Sequence, residues 1–177
     1  MYRKILVAID DSETSARGLD EAIKLAKGDS AQLCILHAIE PTALAMYPEA
    51  AAYADDLFGL LRDAGREVLA KAVAKAAKRG VKARMALIEN RGFPIADLIV
   101  EYAAGWKADV IVLGTHGRRG FSHLLMGSDA ESVVRSSPIP VLLVRSADGA
   151  VPSAARAKRS TGGRTGGKKR SAARKSA

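Results

Sequence analysis

Cysteine occurs once in this 177-residue sequence, and that single thiol excludes an internal disulfide framework. Its setting, Leu33-Cys34-Ile35-Leu36, marks it as a small buried core residue and not a reactive group. Long apolar runs are missing too: no segment approaches the roughly 18 residues of a membrane span, so no membrane partner is expected. The apolar run at residues 5–9 stops at Asp10-Asp11, too short for a secretory leader, which makes the cytoplasm the expected location. Aromatic residues are few, at 5%, leaving little for base stacking. There is no internal repeat, and no Ser/His/Asp arrangement or dedicated water activator of the kind nucleophilic catalysis needs.

Charge is present but uneven. The formal net charge is +9; residues 1–145 carry 19 basic and 18 acidic residues, and residues 146–177 carry nine basic residues against Asp148. The body is therefore nearly neutral and the tail is strongly cationic. The tail consists of Ala, Ser, Thr, Gly, Lys and Arg with almost nothing large and apolar, so disorder is expected there. The expected organisation is one domain over residues 1–145 and a basic extension over 146–177.

Within the body, hydrophobic runs alternate with helical periodicity. Residues 5–9 form a continuous apolar run and read as a buried strand. Asp11 or Ser12 can then cap a helix carrying Ala16, Leu19, Ala22, Ile23 and Ala26, with Gly28 stopping it. A second buried strand over 33–39 is followed by an excursion between Pro41 and Pro48. The next helix carries Leu57, Leu61, Ala64, Val68, Ala72 and Ala76 along one stripe and ends at Gly80. Residues 81–88 alternate Lys82 and Arg84 with Val81, Ala83 and Met85, as expected of a strand near the sheet edge with one wet face. Pro94 suits the first turn of a helix with Ile95, Leu98, Ile99 and Tyr102 inward and Gly105 at its close. Residues 110–113 are the most hydrophobic strand. After a glycine-rich loop, Ser128 can cap a helix bearing Ala130, Val133 and Val134, and Pro138 and Pro140 precede the last strand, Val141–Val144. This βαβαβαβαβ order predicts an α/β fold, a doubly wound parallel sheet with helices on both faces.

In such sheets ligands bind beyond the carboxyl ends of the strands, where the strand order reverses. Two of these ends are unusual. Asp10 follows the first strand, and residues 114–128 follow the fourth with the pattern Gly114-x2-Gly117-x9-Gly127-Ser128. Glycines let the backbone turn tightly and approach a ligand without a Cβ in the way. Gly127-Ser128 opens a helix whose free N–H groups and positive dipole end suit an anion. Each such contact contributes only about 0.3–1 kcal/mol when exposed, so several must converge.

Three stretches carry a family likeness: residues 4–12, the Gly-x2-Gly-x9-Gly-Ser segment, and residues 138–144. Together they resemble the universal stress protein family, in its ATP-binding branch. The resemblance implies an adenine nucleotide alpha hydrolase-like sheet of order 3-2-1-4-5 and homodimers paired through Val141–Val144. It puts Ala8, Ile9 and Asp10 at the adenine and ribose end and Ala38 beside the base. Leu113, Gly114, Thr115, His116 and Gly117 would line the ribose and phosphate path, and Gly127 and Ser128 would hold the phosphates. One departure matters. Asp129 stands where members often have an uncharged residue, and its carboxylate would either repel a triphosphate or help hold a metal ion such as magnesium, with Arg118 and Arg119 to offset it. The implied ligand is ATP, with ADP and AMP as alternatives, and the implied role is a nucleotide-dependent stress-response regulator. Enzymatic turnover would amount at most to slow ATP hydrolysis or self-phosphorylation at Ser128.

Other features have duller explanations. Asp10-Asp11 also suits the acid pocket of receiver domains, but that fold needs an aspartate ending the third strand, where Leu87-Ile88-Glu89 stands, and a lysine where Arg145 stands. Gly162-x4-Gly167-Lys168 imitates a P-loop, yet Lys169 follows and neither a strand nor an amphipathic helix flanks it. His37 reads as a structural strand residue and Trp106 as a helix-end packing residue. His116 and His123 have no Cys or acidic partner before Asp129, so zinc is not expected. The cations between 156 and 175 either solubilise the chain or bind nucleic acid or another polyanion without sequence preference.

Overall fold

The computed structural model describes residues 1–40, 53–90, 92–115 and 127–145. Their elements, in chain order, are β1 (Lys4–Ile9), α1 (Glu13–Asp29), β2 (Gln32–Ile39), α2 (Ala54–Lys78), β3 (Ala83–Glu89), α3 (Ile95–Trp106), β4 (Val110–Gly114), α4 (Ser128–Ser136) and β5 (Val141–Val144). All pairings are parallel and the strand order is β3-β2-β1-β4-β5, as expected. The order reverses between β1 and β4, which places the carboxyl ends of those two strands at the topological switch point.

Strand alternation divides the core into two layers. Ile5, Val7, Leu33, Ile35, Val110 and Val112 pack beneath α1 and α2. Leu6, Cys34, Leu36, Ala86, Ile111 and Leu113 pack beneath α3 and α4. The central strands are apolar on both faces because helices cover both, which is why their sequence shows no alternation. Cys34 is fully buried in the second layer, its Sγ 3.7 Å from the Tyr102 hydroxyl. Burial pushes its thiol pKa up, the Tyr102 hydrogen bond and the Arg84 charge acting the other way. Trp106 packs at the edge of the same layer, with Lys4 Nζ 5.5 Å and Arg84 Cζ 5.9 Å from its ring centre.

Several boundaries and faces depart from expectation. Helix α1 runs through Gly28 to Asp29, and the left-handed stop is Ser30, φ 53°, whose N–H bonds the Ala26 carbonyl. Helix α3 likewise passes Gly105, with Lys107, φ 58°, as its stop and Pro94 as its N-cap. Its fully buried residues include Ala96 and Ala103, whose small size lets the helix lie close to the sheet, while Leu98 is only half-buried. On α2, Ala64 faces solvent and the buried stripe is Phe58, Gly65, Leu69, Ala72 and Ala76. Gly65 occupies the tightest point of that stripe, because a Cβ there would meet Leu87 Cδ1 at 2.8 Å and Ile39 Cγ2 at 2.9 Å. On the outermost strand β3, Met85 is 54% exposed: an edge strand receives helix cover on its inner margin only. Val134 is 44% exposed on α4. The excursion between Pro41 and Pro48 lies outside the described residues.

Candidate functional site

The turn after β1 is built by short side chains. Asp10 Oδ1 accepts the Ser12 N–H at 3.1 Å, and the Asp10 N–H reaches Ser15 Oγ at 3.3 Å. Asp11 between them takes a left-handed conformation, φ 64°. Ser12 caps α1 by accepting the Ser15 N–H at 3.2 Å, and the Ser15 hydroxyl donates to the Ser12 carbonyl at 2.9 Å. The Asp10 carboxylate is thus held at the mouth of the sheet by the turn that starts the first helix. From the neighbouring strand, buried His37 donates its Nδ1–H to the Ile9 carbonyl at 2.7 Å, fixing the end of β1 against β2. His37 has the structural role expected of it.

Across the switch point, β4 ends at Gly114 directly against that first turn. A Cβ on Gly114 would lie 2.7 Å from the Thr14 carbonyl carbon and 2.8 Å from the Ser15 nitrogen. These are backbone atoms that cannot step aside, so the missing side chain serves helix packing, a reason additional to the ligand approach anticipated from sequence. Gly18 shares the contact, since a Cβ there would come within 3.4 Å of the Gly114 nitrogen. Thr115, buried, then ties the strand end to both flanks. Its N–H donates to the Val144 carbonyl at 2.9 Å, and its carbonyl accepts the Gly127 N–H at 2.7 Å. The two ends of the glycine-rich segment are therefore joined, and α4 begins beside the end of β4. The helix starts at Ser128 with Gly127 as its N-cap, where the sequence suggested Ser128, and among the described residues no side chain caps it. N–H groups at such a helix start are donors that suit an anion. Asp129 and Glu131 lie in that turn, and Glu131 is paired with Arg135 at 2.8 Å.

The structure thus brings together the ends of β1, β2 and β4 and the start of α4. Ala8 and Ala38 lie on the α3–α4 side of the sheet, and both are half-buried beside fully buried strand neighbours. Ile9, Leu113 and Thr115 are buried at the mouth formed by these strand ends. Ser128 and Asp129 are exposed at its rim. His116, Gly117, Arg118, Arg119 and His123 lie outside the described residues. Among the described residues, no group of three or more His, Cys, Asp or Glu side chains could hold a metal ion. A concavity of about 560 Å³ lies at the amino ends of β2 and β3 and another of about 260 Å³ between α1 and α2. Neither includes Gly114 or Gly127.

Sequence reasoning missed Asn90. It is 1% exposed at the end of β3, and its Oδ1 accepts the N–H groups of Gly92 and Phe93 at 3.0 and 2.8 Å. Its Nδ2 donates to Glu40 at 3.0 Å and its backbone N–H to the Ile39 carbonyl at 2.9 Å. It fastens the end of β3 to the end of β2 and to the turn that follows. An asparagine shortly before Gly92 and Pro94 is an available turn signal.

Comparison with known proteins agrees with this geometry. A model described as the universal stress protein family matches residues 1–145. The chain belongs to that family. A universal stress protein of Methanocaldococcus jannaschii is 34% identical over 145 residues, covering 82% of this chain and 83% of that protein. Among solved structures, the hypothetical protein MJ0577, described as a structure-based assignment of biochemical function, aligns with TM-score 0.72 and 26% identity. It covers 82% of this chain and 97% of the other. A universal stress protein crystallised in complex with cAMP aligns with TM-score 0.57 and 29% identity, covering 81% and 97%. Among the described residues, no helix of this universal stress protein is long and apolar enough to cross a membrane.

Proposed function

We propose that this universal stress protein binds an adenine nucleotide at the carboxyl end of its sheet, ATP in preference to ADP or AMP, and acts as a nucleotide-dependent regulator in the stress response. The observation that carries the reading is the joining of Thr115 to Gly127, which sets the start of α4 beside the end of β4 at the switch point. The base would rest beside Ala8 and Ala38, with Ile9 and Asp10 at the ribose. Leu113, Gly114, Thr115, His116 and Gly117 would line the path to the phosphates, held by Gly127 and Ser128. The cAMP complex of a relative at 29% identity supports an adenine nucleotide as the ligand class. A magnesium ion carried in by the phosphates would find the Asp129 carboxylate at the rim. Binding, and not fast turnover, is the proposed function, with any ATP hydrolysis or self-phosphorylation at Ser128 slow.

Melting of the full chain with and without millimolar ATP, ADP and AMP, each with magnesium, tests the reading. Saturation to about 100 Kd stabilises the folded state by about 2.7 kcal/mol, with ATP giving the largest upward shift. Absence of any shift with all three nucleotides would refute it.

A second reading is favoured by the charge of the tail: residues 156–175 bind nucleic acid electrostatically. Neutralising about six phosphates would give a slope of log K against log salt of roughly −5 on duplex DNA. DNA retention that ignores salt would exclude it. Pairing of two chains through Val141–Val144 accompanies the nucleotide reading, supported by an outermost strand whose Leu142 is 38% exposed.

A further inference from the structure

At the amino end of the sheet, opposite the candidate nucleotide site, every connection belongs to the described residues: 1–3, 30–31, 79–82, 107–109 and 137–140. The charges there are unbalanced. Lys27 and Lys78 lie in the last turns of α1 and α2, Lys82 and Arg84 at the start of β3, and Lys107 after α3. All are exposed, and among the described residues none has a carboxylate partner. The nearby carboxylates are engaged elsewhere. Asp29 accepts the Tyr2 N–H at 3.0 Å, Asp109 accepts those of Arg3 and Lys4, and Asp20 holds Lys75 and Arg79, each at 2.8 Å. Helix-end carbonyls are capped as well, that of Ala26 by Ser30 and Ala31 and that of Ala76 by Arg79 and Val81. Beside these cations lies the concavity of about 560 Å³, lined by buried Ala26, Leu33 and Val81 and by Lys27, Lys82 and Arg84. Among the described residues no carboxylate lines it.

We propose that this end docks an acidic peptide segment of a partner protein, its carboxylates meeting Lys27, Lys82 and Arg84 and one apolar side chain entering the concavity. Such docking does not depend on the nucleotide, whose candidate site lies at the opposite ends of the strands. Two structural uses account for part of the charge. Lysines in a last turn complement the helix dipole, which covers Lys27 and Lys78. Cations on an outermost strand deter strand pairing, which covers Lys82 and Arg84. Neither use calls for a hollow that a helix-end lysine and an edge-strand lysine share. Cations continue beyond the concavity to Lys78 and Lys107, which suits an extended anion more than a small one. A nucleic-acid backbone supplies no apolar side chain to meet Leu33 and Val81, whereas a peptide does. Charges at such a rim act mainly through association rate and salt dependence.

A reporter is built in. Trp106 is the sole tryptophan, and Arg84 Cζ lies 5.9 Å from its ring centre, so its fluorescence follows what Arg84 engages. The native full chain is titrated with a short polyglutamate peptide carrying one central leucine. Beside it run two full-length variants of equal net charge, Lys27→Gln/Lys82→Gln and Arg17→Gln/Arg66→Gln, the latter pair of arginines being bound to Glu13 and Asp63. Residues 146–177 are the same in all three chains, so their charge cancels in the comparison. The expected result is a saturable change in Trp106 fluorescence. Affinity should be at least about threefold weaker at low salt for Lys27→Gln/Lys82→Gln, near native for Arg17→Gln/Arg66→Gln, and the gap should close as salt rises. Equal affinities in the two variants, or an unchanged signal in the native chain, would overturn the proposal. So would tighter binding at the same tryptophan by a short duplex DNA than by the peptide.

Discussion

Two glycines show how the same missing side chain serves different ends. At Gly114 an added Cβ meets the Thr14–Ser15 backbone at 2.7–2.8 Å, and nothing there can rotate away. Gly114→Ala should therefore cost about 1–3 kcal/mol, as overpacking does, and should also disturb the nucleotide loop. At Gly65 the obstacles are side-chain atoms: Leu87 Cδ1 at 2.8 Å, Ile39 Cγ2 at 2.9 Å and His37 Cδ2 at 3.1 Å. Leu87 can shift rotamer, Ile39 and the bonded His37 yield less, and alanine recovers about 1 kcal/mol of helix propensity. Gly65→Ala should thus lower the melting temperature less than Gly114→Ala, and it should leave any nucleotide-induced shift intact. The reverse ranking would show that the packing of α1 on β4 is looser than these distances imply. Ser12 provides a third residue-level test. Removing its hydroxyl deletes the cap on α1 and loosens the Asp10 turn, so Ser12→Ala should cost about 1 kcal/mol in a denaturant titration.

At the scale of elements, Asp109 binds the start of β1 to the loop before β4 by accepting the backbone N–H groups of Arg3 and Lys4 at 2.7 and 2.8 Å. The Arg3 hydrogen bond first, then that of Lys4, holds its carboxyl below the ordinary value of 3.8. A group whose folded pKa is depressed stabilises the fold at pH above its unfolded value and loses that contribution as pH falls through the folded one. The melting-temperature gap between the native chain and Asp109→Ala should therefore be full at neutral pH and shrink below pH 3.8. A gap independent of pH would mean that the contact stabilises through packing alone.

Element order and the identity of the central strands were legible in the sequence because buried parallel strands are continuously apolar, whereas the sheet order came from the family resemblance. Helix ends were less so. Gly28 and Gly105 looked like stops, yet a glycine is tolerated within a last turn, and the left-handed positions fell two residues later on Ser30 and Lys107. The buried face of α2 was misread because Gly65, which has no hydrophobic signature, occupies its tightest contact. In the candidate site, Asp10 and the Gly114 and Gly127 positions stood out by residue type. Asn90 did not, since two of its four hydrogen-bond partners, Ile39 and Glu40, lie in a distant segment that only the fold brings to it.

For the molecule as a whole, β5 is an outermost strand with Leu142 38% exposed. Such an edge invites pairing with a second copy. Sedimentation at micromolar concentration should show a dimer, and Leu142→Glu should shift it towards the monomer without lowering the melting temperature by more than a few degrees. A monomer in the native chain would remove the strand-pairing proposal. The most direct test is a calorimetric titration of the full chain with ATP and magnesium at low salt. The predicted result is saturable heat at one nucleotide per chain. Heat that never rises above dilution at millimolar ATP would contradict it.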